Sequence, residues 1–139
     1  MSKNTPLSIV SILLVFTAFL AAVYLMNKFQ SKELIIRNEI DLEEVDVNSK
    51  KQFDISLTNK TNKVFEVAKV YTSCGCTQIA EKNGSTPFTI QPKSIININF
   101  VFDPASMHQK GDDFDHEIYF LVTRPYEKEY KIKITGKVI

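Results

Sequence analysis

Residues 7–26 form an apolar run that contains no Asp, Glu, Lys, Arg or His. Twelve of these residues are Leu, Ile, Val or Phe, which favour the interior of a bilayer over water. A helix of about 20 such residues is long enough to cross the hydrocarbon core of a membrane. The sequence therefore predicts a single N-terminal transmembrane helix at residues 7–26, preceded by a short tail at residues 1–6.

A cleaved signal peptide is the competing interpretation of the same run. Lys3 supplies a basic start, and residues 20–22 resemble a cleavage site. The apolar run nevertheless continues to Met26, which favours an anchor that is kept. Small residues let another transmembrane helix approach closely, and the candidates for such packing are Ala18, Ala21 and Ala22.

Two observations disagree about the orientation of the predicted anchor. More basic residues follow the run than precede it, and positive charge tends to stay on the cytoplasmic side of a membrane. A disulfide between the two cysteines of the chain would instead require an oxidising compartment outside the cytosol. The charge count alone therefore does not decide the side of the membrane.

After a polar connector at residues 27–33, the pattern of residues 34–139 predicts one β-rich domain. Apolar and polar residues alternate with period two in residues 53–57, 94–102 and 129–138, as they do in strands with one buried face. Turn sequences separate about seven such strands, and no helical period follows the apolar run. This pattern predicts an all-β fold, an immunoglobulin-like antiparallel β-sandwich.

Three details of the strand pattern lead to specific expectations. Residues 94–102 are the most regular strand, and we expect them at the centre of a sheet. The final strand places Lys131 and Lys133 on its outer face, which is typical of a protected edge strand. Residues 103–113 have no periodicity, so we expect a long loop there.

Charge and motif content argue against several classes of function. The formal net charge is +1, and no basic patch with interleaved aromatic residues is present, so nucleic acid is not an expected partner. No catalytic signature surrounds the cysteines, so we do not expect an enzyme, although a thiol-disulfide role stays open. The sequence likewise identifies no cofactor and no small-molecule substrate.

Cys74 and Cys76 are the main candidates for chemistry, and Gly75 lies between them. Thiols at i and i+2 project from the same face of a strand, with Cα atoms near the upper limit of about 6.8 Å for a disulfide. Closure of a disulfide should therefore need a bend at Gly75, where a side chain would clash. Three states stay open: a structural or redox-active disulfide, two reduced thiols, and a metal site.

A metal site would need ligands beyond the two thiolates. The long loop offers Met107 and His108 as partners of Cys74 and Cys76 for Cu(I), and His116 is a further candidate. The spacing of these residues fits no zinc-finger pattern, and nothing in the sequence places the loop near the cysteines. Each histidine taken alone is typical of a surface or strand residue.

Five short segments carry a family resemblance, and they are FDISLTN at residues 53–59, SCGCT at 73–77, IQP at 90–92, FVFD at 100–103 and ITGKV at 134–138. Together they resemble a bacterial family of unknown function that has a Ser-Cys-Gly-Cys-Thr box in an immunoglobulin-like domain. The resemblance covers residues 38–139, and Lys93 departs from it because the family usually has glycine there. It implies an immunoglobulin-like fold and export from the cytoplasm, often behind a signal peptide or membrane anchor, but no reaction.

We therefore expect a membrane-anchored binding or accessory module, which would be a small subunit of a larger membrane complex. Its globular domain is expected in the periplasm, on the outer side of the cytoplasmic (inner) membrane of a bacterium, with other membrane proteins as partners. The alternative function is an extracytoplasmic thiol-redox or copper-handling protein that uses Cys74 and Cys76.

Overall fold

The computed structural model describes residues 7–28, 33–80 and 85–139. Contacts divide the chain into two compact units, with the division between Lys32 and Glu33. The predicted N-terminal tail and residues 29–32 of the predicted connector lie outside the described residues.

In the first unit, Leu7–Lys28 form the helix α1. No glycine or proline interrupts this stretch, which agrees with its helical conformation. Ala18, Ala21 and Ala22 lie on one side of α1, because their spacing matches one helical turn, and their side chains are exposed. Within the described residues, no helix is both long and apolar enough to cross a membrane.

In the described part of the second unit, eight strands form two sheets. The strands are β1 (Glu39–Val45), β2 (Lys51–Thr58), β3 (Phe65–Thr72), β4 (Thr77–Ile79), β5 (Phe88–Ile90), β6 (Ile95–Phe102), β7 (Asp113–Arg124) and β8 (Lys128–Val138). One sheet has the order β1-β8-β7-β3-β5, and the other has the order β2-β6-β4. The predicted all-β sandwich is confirmed, with one strand more than expected.

The sequence predicted a wholly antiparallel sandwich, but β1 pairs in parallel with β8. The prediction is therefore wrong for this pair of strands. The chain changes sheets at the start of the domain. Ile35 exchanges backbone hydrogen bonds of 2.9 and 3.0 Å with Thr58 of β2, and the chain then joins the other sheet as β1. The remaining strands lie between β1 and β8 in sequence, which supplies the long crossover that parallel pairing requires.

β8 lies inside the five-stranded sheet, between β1 and β7, so the edge position predicted from its lysines is wrong. Lys131 and Lys133 do face solvent, and they form ion pairs of 2.7 Å with Glu117 and 2.9 Å with Asp115 on β7. Lysines at alternate positions of a strand therefore indicate that one face of the sheet is exposed. Central strands and edge strands can both have such a face.

β6 is the central strand of the three-stranded sheet, as predicted, and its inward face forms the middle of the core. Ile98, Phe100 and Phe102 are at most 1% exposed. The Phe100 ring stacks on Phe53 at 5.7 Å and meets Phe120 of the opposite sheet edge-on at 6.2 Å. The two sheets thus pack through aromatic contacts.

Asn59, just after β2, is a polar residue with no solvent exposure. Its Nδ2 donates to the carbonyls of Lys63, Ile90 and Gln91 at 2.8 to 3.2 Å. Its Oδ1 accepts from the N–H and the hydroxyl of Thr61 at 2.9 and 2.8 Å. One amide thereby ties the turn after β2 to the end of β5, which gives the asparagine of the FDISLTN segment a structural role.

The turn before β6 contains a left-handed residue that is not glycine. Lys93 has a φ of 58°, and its Nζ donates to the carbonyl of Lys60 at 2.5 Å. The left-handed conformation costs a residue with a Cβ about 1 kcal/mol or more. The departure from the family pattern at Lys93 therefore leaves the turn formed but strained.

Gly136, in β8, is required by close packing. A Cβ at this position would lie 2.5 Å from Cζ of Phe114 and 2.7 Å from the backbone oxygen of Glu43 in β1. Glu43 has a φ of 56° and lies at the break in register between β1 and β8. Only glycine lets β1 and Phe114 approach β8 so closely.

Candidate functional site

The chain leaves β3 after Thr72 and enters β4 at Thr77, and Cys74 and Cys76 lie in the turn between them. The two cysteines form a disulfide with Cα atoms 5.3 Å apart. Both side chains are buried, at 7% and 1% exposed. The two cysteines are thus paired in the structure, and the structural or redox-active role of the pair stays a prediction.

Hydrogen bonds hold this turn against two other strands. The Ser73 N–H donates to the Glu117 carbonyl in β7, and the Glu117 N–H donates to the Ser73 hydroxyl, both at 2.8 Å. After β6, the Asp103 N–H donates to the Cys76 carbonyl at 2.8 Å. Within the turn, the Cys76 N–H points at Sγ of Cys74 at 3.0 Å. The disulfide is thereby fixed where β3, β6 and β7 meet.

Gly75 does not have the role expected from the sequence. The backbone bends between β3 and β4, as predicted, but a Cβ at Gly75 would meet no atom within 4 Å. Its φ is not positive either. A steric clash therefore does not explain this glycine, and the hydrogen bonds on both sides of it hold the bend.

Two histidines lie beside the disulfide. His116, in β7, has a ring nitrogen within 4.8 Å of the Sγ atoms of Cys74 and Cys76. His108 follows a short 3-10 helix (Pro104–Ser106), and its N–H donates to the Pro104 carbonyl at 2.8 Å. The Nε2 atoms of the two histidines are 2.8 Å apart. The predicted loop thus brings its histidine to His116, which is the histidine beside the cysteines.

Aromatic rings and a carboxylate surround the two imidazoles. The Phe114 and His108 ring centroids are 5.8 Å apart, and Oδ2 of Asp112 lies 3.9 Å from Nδ1 of His108. Burial lowers the pKa of His116 below its ordinary value of 6.5, and His108 lowers it further, while Asp115 opposes the shift. The His116 imidazole is therefore neutral at neutral pH and offers a lone pair.

Met107, the loop residue expected as a ligand beside His108, stays a prediction. Its side chain is 63% exposed, whereas the adjacent His108 faces His116. A signal for His116 was present in the sequence, because it occupies a core-facing position of β7 between Phe114 and Ile118. A histidine within an otherwise apolar alternation points into the protein rather than toward solvent.

The described strands form a two-sheet β-sandwich that is similar to immunoglobulin-like and PapD-like domains, and the cysteine turn lies between two of its strands. The chain belongs to the family described as protein of unknown function DUF1573, whose model matches residues 34–138. The value of the Ser-Cys-Gly-Cys-Thr box as a family signature stays a prediction. No curated protein shows a significant sequence match to the chain.

Solved structures share the fold at low sequence identity. A protein of unknown function from Porphyromonas gingivalis has a TM-score of 0.62 at 15% identity, over 75% of this chain and 46% of that one. The PapD-like domain 7 of human CEP192 has 0.56 at 12% identity, over 79% and 87%. The periplasmic chaperone SfaE has 0.57 at 9% identity, over 77% and 60%. This chain thus spans less than two thirds of the Porphyromonas gingivalis protein and of SfaE, and the likeness concerns the fold.

Proposed function

We propose that the sandwich is a binding module that receives an extended segment of another polypeptide along the free edge of β2. The observation behind this proposal is that, in the part of the chain that the structure describes, no strand pairs with the outer side of β2 from Lys51 to Leu57. An unpaired strand edge is a template on which a further strand can form.

The outward groups of this edge follow from the hydrogen bonds of Thr58. Its N–H and its C=O both bond to Ile35, on the side away from β6. Backbone groups alternate in direction along an antiparallel strand, so Gln52, Asp54 and Ser56 also direct their N–H and C=O groups outward. A partner strand would therefore pair with these three residues.

A shallow groove beside the edge would receive side chains of the partner. Its lining residues are Arg37, Ile40, Asp54, Ile55 and Ser56. In strand addition, main-chain hydrogen bonds supply affinity, and pockets for alternate side chains supply specificity. Because Ile40 and Ile55 are apolar and Arg37 and Asp54 carry opposite charges, the groove suits an apolar side chain flanked by polar ones.

The same proposal covers the role of the whole chain. We propose a non-enzymatic accessory subunit of a larger membrane complex, with other membrane proteins as partners. Support comes from the free edge of β2 and from the small residues Ala18, Ala21 and Ala22 on one side of α1. The likeness to the periplasmic chaperone SfaE supports the architecture only.

Photo-crosslinking in cells tests the edge directly. A photoreactive phenylalanine analogue placed at Ser56 of the full chain should give a discrete crosslinked product, because its side chain borders the proposed partner strand. The same analogue at Thr123, an exposed position of β7, should give none. Equal products from both positions, or none from Ser56, would reject the edge as the interface.

A matched pair of variants at Ser56 distinguishes a main-chain interaction with the partner from a side-chain interaction. Ser56→Pro removes the outward N–H and leaves the bonds to β6 in place, whereas Ser56→Ala keeps that N–H. We expect partner recovery in mild detergent to fall about fivefold or more for the proline variant only. Equal recovery with both variants would contradict a main-chain interaction.

We also propose that residues 7–26 anchor the chain in the cytoplasmic membrane and that the sandwich lies outside the cytoplasm. The supporting observation is the absence of charged residues from this run. After fractionation, the chain should sediment with membranes, and protease added to intact spheroplasts should digest the sandwich but spare a cytoplasmic marker. A soluble chain, or a sandwich protected until lysis, would reject this arrangement.

A further inference from the structure

Four side chains that commonly bind metals converge from three segments of the sandwich. Cys74 and Cys76 come from the turn after β3, His108 from the loop after β6, and His116 from β7. One ligand atom from each cysteine and from His116 lies within 4.8 Å of the others, and Nε2 of His108 lies 2.8 Å from Nε2 of His116.

We propose that, once the disulfide is reduced, these four side chains form a tetrahedral site for a thiophilic d10 cation, Zn²⁺ or Cu(I). Reduction transfers two electrons and two protons from a dithiol to the two sulfur atoms, and the dithiol itself becomes a disulfide. Binding of the cation then forms two sulfur–metal bonds and releases the two thiol protons. The disulfide and the metal-bound dithiolate are mutually exclusive states of one site, and neither depends on the edge of β2.

The ligand atoms have to rearrange to reach this geometry, because His108 lies outside the group of Cys74, Cys76 and His116 atoms that are within 4.8 Å of one another. Metal bonds of about 2.3 Å to sulfur and about 2.0 Å to nitrogen place neighbouring ligands about 3.3 to 3.8 Å apart. The two Nε2 atoms would therefore separate by about 0.5 Å. After reduction the two sulfur atoms separate to about 3.8 Å. His108 lies in a loop, so rotation of its side chain and a shift of the loop bring it toward the two thiolates.

The surroundings also match those of metal-bound histidines. Such a histidine usually directs its second ring nitrogen to a carboxylate, and Asp112 lies on that side of His108, 3.9 Å from Nδ1. Burial of Cys74 and Cys76 and the packing of Phe114 limit access of water. In the disulfide state, one imidazole donates its Nε2 proton to Nε2 of the other. Binding of a cation by both Nε2 atoms moves that proton to Nδ1 of its own ring, so only the two thiol protons are released.

Metal titration of the full chain tests the proposal. The protein is reduced with dithiothreitol, and the dithiothreitol is then removed under anaerobic conditions. The reduced protein is titrated with Zn²⁺ or Cu(I) in competition with a chromophoric chelator. Co²⁺ serves as a spectroscopic probe in a parallel titration. We expect one equivalent to bind, with the absorption of tetrahedral thiolate-ligated Co²⁺. The oxidised chain should not compete with the chelator. The Zn²⁺ and Cu(I) titrations distinguish the two cations.

Three variants identify the ligands. His116→Gln and His108→Gln should each weaken binding by about tenfold or more, while Met107→Leu should bind within about twofold of the unmodified chain. Circular dichroism confirms that each variant keeps its β-sheet signal, and His108→Gln changes only a loop. Failure of the folded, reduced chain to bind either cation, equal binding by the oxidised chain, or unchanged binding in both histidine variants would overturn the proposal.

Discussion

Replacement of Asn59 by alanine is expected to lower the free energy of unfolding by about 3 to 5 kcal/mol. The side chain is fully buried and bonds to three backbone carbonyls and to two donors of Thr61. Each buried group left without a partner costs about 1 to 3 kcal/mol, and entry of water recovers part of the sum. Urea unfolding followed by circular dichroism measures the change.

Asn62→Ala is the matched control for this experiment. Asn62 lies in the same turn but is exposed, so its replacement should change the stability by no more than about 0.5 kcal/mol. A loss below about 1 kcal/mol for Asn59→Ala would contradict the role of this amide in joining β2 to β5.

Gly136→Ala is expected to cost about 2 to 4 kcal/mol, because part of the clash involves the backbone. The new Cβ would lie 2.7 Å from the Glu43 oxygen and 2.5 Å from the Phe114 ring. Relief requires β1 to move away from β8 or Phe114 to move within the core. Urea unfolding measures the cost, and hydrogen exchange of β1 amides should become faster relative to those of β6.

Gly75→Ala provides the comparison within the same chain, since its Cβ would meet no atom within 4 Å. Its stability should stay within about 0.5 kcal/mol of the unmodified chain. If the two glycine variants lost equal stability, close packing would not be the reason for glycine at Gly136.

Alternation along a strand predicted which residues are buried, but it could not predict strand neighbours. The inward series Ile98, Phe100 and Phe102 is buried as expected, because side-chain direction is a local property of a strand. The position of β8 depends on β1 and β7, which are distant in sequence, and its lysines carry no information about them. The parallel pairing of β1 with β8 could not be predicted either, because these two strands are also distant in sequence.

The candidate site was predicted in part. The cysteine pair was found because both thiols lie in one short segment, and the loop with His108 was found because it lacks periodicity. Their proximity depends on the hydrogen bonds between Ser73 and Glu117, which join β3 to β7 and bring His116 to the disulfide. Spacing along the chain contains no record of such contacts, so the sequence named His116 only as a further candidate beside Met107 and His108.

The parallel ladder of β1 and β8 determines how the domain responds to tension. β1 is the first strand of the sandwich and β8 is the last, and their register extends from Glu39 opposite Lys133 to Val45 opposite Val138. A pull that separates the two ends of the domain acts on β1 at its first residue and on β8 at its last, which are opposite ends of the ladder. The force therefore acts as a shear along the strands and loads all the hydrogen bonds of the ladder together. In an antiparallel pair of terminal strands, the same pull would break the hydrogen bonds one after another, starting at one end.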